Sequence, residues 1–341
     1  MSVLATAPDP GYAVVIPTLG RPSLDVCLRA LADCHGPRPR RIVLVDDRRL
    51  DDCAPLPARI PEVLRGLVEV VPGCARGPAA ARNAGWRACP EPWIAFLDDD
   101  VVPGPSWAAD LAADVAAAGP GTAGVQARIA VPLPQGRRPT DWERATAGLA
   151  TARWITADMA YRRAALEQVG GFDERFPRAF REDADLALRV LDAGWELTRG
   201  TRRTTHPVRP ADRWVSVRVQ AGNADDVLMN RVHGRSWWGR AGAPRGRLPR
   251  HLAVTAAAAA ALGCAAALRP RTAAACAGLW LAGTAEFAYA RVAPGPRTAP
   301  EITAMAMTSV LIPPAAAYHW LRGVVRHRAV APRGAPTGKK V

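Results

Sequence analysis

Lysine is nearly absent: of the 45 Lys and Arg residues in this 341-residue sequence, only Lys339 and Lys340 are lysines. A glycine-rich phosphate loop with a downstream lysine, which a nucleotidyltransferase would want near its N-terminus, is therefore missing. The seven cysteines (27, 34, 53, 74, 89, 264, 276) form no Cys-x-x-Cys pair and are odd in number. That argues against a zinc site and a full disulfide framework, and fits reduced thiols in a cytosolic compartment. Met1 to Gly11 has no basic region followed by an apolar run, so a secretory signal is not expected there. A clean run of about 20 strongly apolar residues is also lacking.

What the chain does have is a core and an uneven charge. A hydrophobic content of 49% is enough for one large domain plus an appendage. The net charge is +14, and twelve arginines oppose only Asp212, Asp225 and Asp226 between Arg199 and Arg250. This block directly precedes the most apolar part of the sequence, a pattern that reads as cytoplasmic membrane anchoring more readily than as a nucleic-acid footprint.

The stretch Trp93 to Pro103 organises the rest. Trp93-Ile94-Ala95-Phe96-Leu97 lacks alternation and predicts a strand buried on both faces, and Asp98-Asp99-Asp100 follows at its C-terminal end. Three carboxylates there call for a cation, and in an open α/β sheet ligands bind at the carboxyl ends of strands. Tyr12 to Ile16, Arg41 to Val45 and Leu67 to Val71 predict further strands. Helical patterns fall between them at Leu24, Leu28 and Leu31 and at Arg76 to Gly85, so a parallel, doubly wound sheet is expected. Asp46-Asp47 follows the second strand, on the same edge as the triplet.

Beyond the triplet, Trp107 to Ala118 predicts a helix, Thr122 to Val131 a strand and Pro132 to Pro139 a mobile loop. Trp154 to Tyr161 reads as extended and Arg163 to Val169 as a helix. Glu182 to Leu191 opens another helix with its acids in the first turn, and Gly194 ends it. Three apolar stretches close the chain: Leu252 to Leu268, Thr272 to Val292 and Ile302 to Val325. The first has no polar stripe, the second contains Glu286 and Arg291, and Pro313-Pro314 cuts the third. Membrane helices are the favoured reading and a soluble Ala-rich hairpin the alternative. Basic clusters on both flanks require an even number of crossings, so one segment would lie in the interface or re-enter. Trp237-Trp238 reads as an interface belt.

Val14-Val15-Ile16-Pro17-Thr18, Val45-Asp46-Asp47, Ala80-Ala81-Arg82-Asn83-Ala84-Gly85, Phe96-Leu97-Asp98-Asp99-Asp100, Gly170-Gly171-Phe172-Asp173-Glu174 and Glu182-Asp183-Ala184-Asp185-Leu186 together resemble, in order and spacing, the family 2 glycosyltransferases. The resemblance covers Tyr12 to Gly234. It implies a GT-A fold, Rossmann-like with a mostly parallel sheet, binding a nucleotide-diphosphate sugar at the strand ends. It further implies an inverting transfer with Asp183 as general base, Glu182 and Asp185 being alternatives that pair with Arg181 or Arg189 or cap the helix.

Pro17, Thr18, Asp46, Asp47, Arg82, Asn83, Asp98 and Asp99 are similar to nucleotide-contacting residues. Asp98 and Asp100, with Asp99 a rival and His206 a further ligand, would hold a divalent metal, Mg or Mn. The Arg48-Arg49 pair departs from the small turn usual after the second strand, and the Gln/Arg-x-x-Arg-Trp signature of processive synthases is absent, which favours single addition.

The expected organisation is an N-terminal tail (1–11), a transferase domain (12–234), a basic juxtamembrane linker (235–251), C-terminal apolar helices (252–328) and a flexible tail (329–341). The expected partners are a nucleotide sugar and a lipid-linked or saccharide acceptor, with no nucleic acid, at the cytoplasmic face of the membrane. Competing readings are a nucleotidyltransferase-like enzyme and a non-catalytic basic protein that binds membrane or nucleic acid.

Overall fold

The computed structural model describes residues 11–49 and 54–333. Most of the expected N-terminal tail, Cys53, and the chain from 334 onward with Lys339 and Lys340 lie outside the described residues. In order, the elements are β1 (Tyr12–Thr18), α1 (Pro22–Asp33), β2 (Arg41–Asp46), β3 (Val68–Pro72), α2 (Pro78–Arg87), β4 (Trp93–Leu97), β5 (Val102–Pro103), α3 (Trp107–Ala117), β6 (Thr122–Ala130), α4 (Asp141–Ala147), β7 (Asp158–Arg162), α5 (Arg163–Val169), α6 (Glu182–Asp192), β8 (Glu196–Thr205), α7 (Val215–Arg218), α8 (Asn223–His233), α9 (Trp237–Arg240), α10 (Leu248–Ala266), α11 (Pro270–Val292) and α12 (Ala299–Arg326).

The strands form one sheet in the order β3-β2-β1-β4-β7-β6-β8-β5. It is more mixed than expected: β3, β2, β1 and β4 run parallel, as do β6 and β8, while β7 is antiparallel to β4 and β6, and β5 to β8. Two reversals around β7 therefore return β8 to the direction of β4. The C-terminal ends of β1, β2, β4 and β8 all reach the same edge, and Thr18, Asp46, Asp98 and His206 are delivered there together.

β4 is buried at all five positions, as its unbroken apolar run requires. One face of the central strands packs against α1 and α3 through Tyr12, Leu24, Leu28, Trp107 and Leu111. The other face carries Val15, Val45, Trp86, Phe96 and Phe172. On that second face, α2 lies so close that a Cβ on Gly85 would stand 2.3 Å from Val15 Cγ1, so only glycine fits.

Several expectations need correction. β8 was not foreseen, because its inward positions are Gly200, Arg202 and Thr204. The fully buried Arg202 is neutralised by Asp158 (2.9 Å) and Asp114 (3.2 Å). Pro313 and Pro314 do not cut the last helix, since α12 runs through them. Pro313, Ala316 and Ala317 are buried, and that packing offsets the amides which proline removes.

Trp237 is fully buried among Phe176, Leu228 and Met229 with its indole donating to Asn230 Oδ1 (3.1 Å), so it belongs to a core rather than a membrane belt. Packing thus continues from the expected transferase domain into the expected linker. At the far end, Arg333 N–H reaches the Val232 carbonyl (3.2 Å), so the first residues of the expected flexible tail are tied down.

Candidate active site

The loop after β4 returns through β5, whose Val102 pairs with Thr205 of β8. That register sets Asp100 beside His206. One oxygen each from Asp98 and Asp100 and one ring nitrogen of His206 lie within 4.8 Å of one another. His206 Nδ1 lies 3.1 Å from the Pro207 carbonyl and donates to it, which leaves Nε2 facing Asp100 Oδ1 at 3.8 Å. Asp100 is buried, and among the described residues its Oδ2 has no hydrogen-bond partner although Arg209 Nε lies 2.7 Å away. Burial and the Asp98 charge raise the Asp100 pKa, while His206 and Arg209 oppose the shift. A buried carboxylate oxygen without a hydrogen bond, a second carboxylate and an available imidazole nitrogen form a donor set suited to a hard or borderline divalent cation.

Asp99 points elsewhere. Its oxygens accept from Thr18 Oγ1 (2.7 Å) and the Arg21 guanidinium (3.1 Å), tying the triplet to the end of β1. Asp46 is closed by Arg48, whose hydrogen bonds hold its carboxyl below the usual range. Asp47 accepts the Arg76 and Gly77 amides, both at 3.0 Å, just ahead of α2, and burial raises its pKa against those bonds.

Arg82 is buried and bridges two acids, Asp98 (2.7 Å) and Glu182 (2.8 Å). Burial works against its charge, but the two carboxylates outweigh it and raise its pKa. Asn83 lines neither of the cavities described below. Its amide donates to the Phe172 carbonyl and Glu174 and accepts from the Phe172 amide and the Trp86 indole, so its hydrogen-bonding capacity is used within the protein. The loop it holds turns at Gly171 (φ 74°), where a Cβ would collide with Asn83 Oδ1 at 2.4 Å.

Asp183 stands at the N-terminus of α6, half-buried, with Oδ1 accepting the Ala184 amide at 2.7 Å. Arg181 just before it is held in the left-handed region (φ 76°), a strained conformation of the kind concentrated at functional sites. Burial raises the pKa of Asp183, against the Ala184 amide, Arg82 and Arg181. Burial and the Asp183 charge push Glu182 up to about 8. The alternatives to Asp183 are committed elsewhere. Glu182 binds Arg82 rather than Arg181, and the fully buried Asp185 binds Arg189 (2.7 Å) and His233 (2.8 Å).

Two cavities meet at these groups. One, of about 410 Å³, is bounded by Pro17, Thr18, Asp47, Asp99 and Asp100. The other, of about 450 Å³, is bounded by Asp183, Glu182, Trp142, Phe180 and His206. Arg82, Asp98, Arg178 and Arg209 line both. Trp142 and Arg209 were not singled out from the sequence. A Thr140-x-x-Glu143 capping box signals α4 and hence the position of Trp142. Arg209, in an irregular segment, carries no such signal.

The sequence model described as "Glycosyl transferase family 2" matches residues 13–184, half of the chain, and spans each strand-end acid named above as well as Asp183. The chain belongs to this glycosyltransferase family. Its eight-stranded mixed sheet is the GT-A arrangement, followed by a C-terminal helical region.

Two curated relatives, the pre-mycofactocin glycosyltransferases of two Mycobacterium tuberculosis strains (CDC 1551 / Oshkosh and ATCC 25618 / H37Rv), are each 35% identical over 136 residues, 36% of this chain. The match spans only 28% of those relatives' length. Among solved structures, GalNAc-T7 with UDP, GalNAc and Mn²⁺ aligns at 16% identity and TM-score 0.45, covering 68% of this chain and 54% of that one. S. aureus TarS aligns at 15% and 0.39, covering 67% and 41%.

Proposed function

We propose that this glycosyltransferase moves a sugar, with inversion, from a nucleotide-diphosphate sugar to a hydroxyl of a lipid-linked or membrane-proximal acceptor. The observation that carries the reading is the division of labour between the two cavities. Thr18 and Asp47 border only the first, Asp183 borders only the second, and Asp98 lies on the wall common to both. A donor in the first cavity presents its anomeric carbon at that wall, and an acceptor in the second meets it from the opposite side.

The side chains then have distinct work. Asp183, its basicity raised by burial, accepts the proton of the acceptor hydroxyl as that oxygen attacks. Arg82 fixes Asp98 and Glu182 so that the donor wall and the start of α6 keep one spacing. Asp98, Asp100 and His206 would hold a divalent cation, Mg or Mn. When bound, such an ion supplies charge stabilisation to the departing diphosphate. Asp99 and Thr18 brace the triplet while lining the donor cavity, and Asn83 braces the Gly170–Glu174 loop.

Membrane association rests on the C-terminal helices. Leu248–Ala266 is long and apolar enough to cross a bilayer. Leu262, Leu268, Leu279, Leu281 and Tyr289 are each at least 60% exposed, an apolar surface suited to lipid. The basic block that precedes these helices supports placing the chain at the cytoplasmic face. The partial match to the mycobacterial enzymes does not carry their acceptor over.

The test is a thermal-shift screen of UDP-, GDP- and dTDP-sugars with Mn²⁺ on wild type and Asp100→Ala. Stabilisation by one donor class that requires both the metal and Asp100 supports the reading. Stabilisation that persists unchanged in Asp100→Ala contradicts the metal assignment.

A further inference from the structure

Four guanidinium groups line the donor cavity: Arg21, Arg82, Arg178 and Arg209. Three are hydrogen-bonded to carboxylates, Arg21 to Asp99 (3.1 Å), Arg82 to Asp98 (2.7 Å) and Arg178 to Asp225 (2.7 Å). Arg209 differs. Its side chain makes no hydrogen bond among the described residues; Nε lies 2.7 Å from Asp100 Oδ2 but outside hydrogen-bond geometry. The same residue borders both cavities and a third, of about 610 Å³, between α4 and the start of α12. Its backbone is pinned, because its carbonyl accepts the Trp142 indole at 2.9 Å, while its side chain is about half exposed. A fixed stem whose charged head is held at the junction of the cavities only by a poorly aligned ion pair suits a side chain with two alternative partners.

We propose that Arg209 is a diphosphate-binding residue that exchanges partners as the donor enters, leaving Asp100 Oδ2 for the phosphate oxygens. The inference rests on the cation and donor reading above. On the cation reading the Asp100 carboxylate serves two cations, the Arg209 guanidinium at Oδ2 and the metal held with Asp98 and His206. Like charges on one carboxylate repel, so without a diphosphate Arg209 and the metal compete for it. A diphosphate supplies several anionic oxygens, to which a guanidinium bonds more strongly than to an oxygen it meets at a poor angle. Arg209 and the metal then hold the same ligand from two sides, and competition turns into cooperation. Charge developing on the leaving diphosphate is met by Arg209 at the wall nearest the reacting carbon.

The exchange predicts effects of opposite sign on two probes. Mn²⁺ alone, followed by electron paramagnetic resonance, and inorganic pyrophosphate at saturating Mn²⁺, followed by calorimetry, are titrated into the full chain. Arg209→Ala is expected to bind Mn²⁺ alone about tenfold more tightly and pyrophosphate about ten- to a hundredfold more weakly, in line with the loss of charged hydrogen bonds. Arg209→Lys, which keeps the charge without the fork, should fall between alanine and wild type on both probes. Equal affinities in wild type and Arg209→Ala overturn the proposal, as does a parallel loss of both affinities at unchanged melting temperature. A wild-type protein that binds no Mn²⁺ overturns the cation reading itself, and the Asp100→Ala control separates that failure from failure of the Arg209 exchange.

Discussion

The side-chain amide of Asn83 and the backbone of Phe172 exchange two hydrogen bonds, Nδ2 to the Phe172 carbonyl at 2.9 Å and the Phe172 amide to Oδ1 at 2.8 Å. A helix on one side of the sheet edge thereby holds the Gly170–Glu174 loop, and Arg82, one residue earlier, reaches into the site. Replacing the amide leaves the Phe172 groups and the Trp86 indole buried without partners. Asn83→Ala should cost about 2–4 kcal/mol, the penalty for several unmade buried hydrogen bonds. Chemical denaturation measures it; a loss under about 0.5 kcal/mol, the range of surface changes, would mean the loop is held by other contacts.

Arg291 fastens the C-terminal helices to the catalytic domain. Buried on α11, it bonds Thr308 and Ser309 of α12, Ser216 of α7 and Asp141 of α4. Arg291→Met removes the charge and strands these partners, with an expected cost of about 2–4 kcal/mol. Hydrogen exchange should report faster opening in α11 and α12 than in β1 and β4. Uniform destabilisation of both regions would show that the helices are not a separately detachable unit.

Asp225 provides a pH signature. Burial raises its pKa to about 6, against its ion pair with Arg178. A carboxyl with a folded pKa above its unfolded value binds more protons when folded, so its contribution to stability falls as pH rises from about 4 to 6. Asp225→Asn lacks this ionisation. Its melting temperature relative to wild type should therefore rise across that window, and a flat or falling difference between pH 4 and 7 would refute the assignment.

The lipid-facing reading depends on outward leucines. Leu262→Gln, Leu279→Gln and Leu281→Gln combined should weaken co-sedimentation with anionic liposomes by about tenfold or more through lost apolar burial. Melting temperature should hardly move, since the sites are exposed and glutamine is a good helix former. Unchanged sedimentation would move the membrane contact to another surface.

The central strands and the acid positions were legible because each carries a local signal, whereas His206 entered only through the family resemblance. Unbroken apolar runs mark β1, β2 and β4, and acids at their ends can persist only where a partner or solvent meets them. β8 was hidden because Arg202 occupies a core position, and its cost is offset by Asp114 and Asp158 from distant segments. Trp237 was misread for a related reason: a tryptophan beside arginines looks interfacial until Phe176 and Leu228 arrive from elsewhere to bury it. Asn83 has a motif position that identifies it as important, but only the fold shows that its partners are a loop and an indole.

The most direct test of the account is Asp183→Asn, assayed for donor binding, melting temperature and transfer on one preparation. Asparagine is nearly isosteric but takes no proton, and Asp183 borders the cavity proposed for the acceptor rather than the one proposed for the donor. Donor affinity should stay near wild type, stability should change by about 0.5 kcal/mol or less, and turnover should fall by about 10² to 10⁴. A folded, donor-binding Asp183→Asn protein that transfers at the wild-type rate would contradict the assignment of the base and move the search to its neighbour on that cavity wall, Glu182.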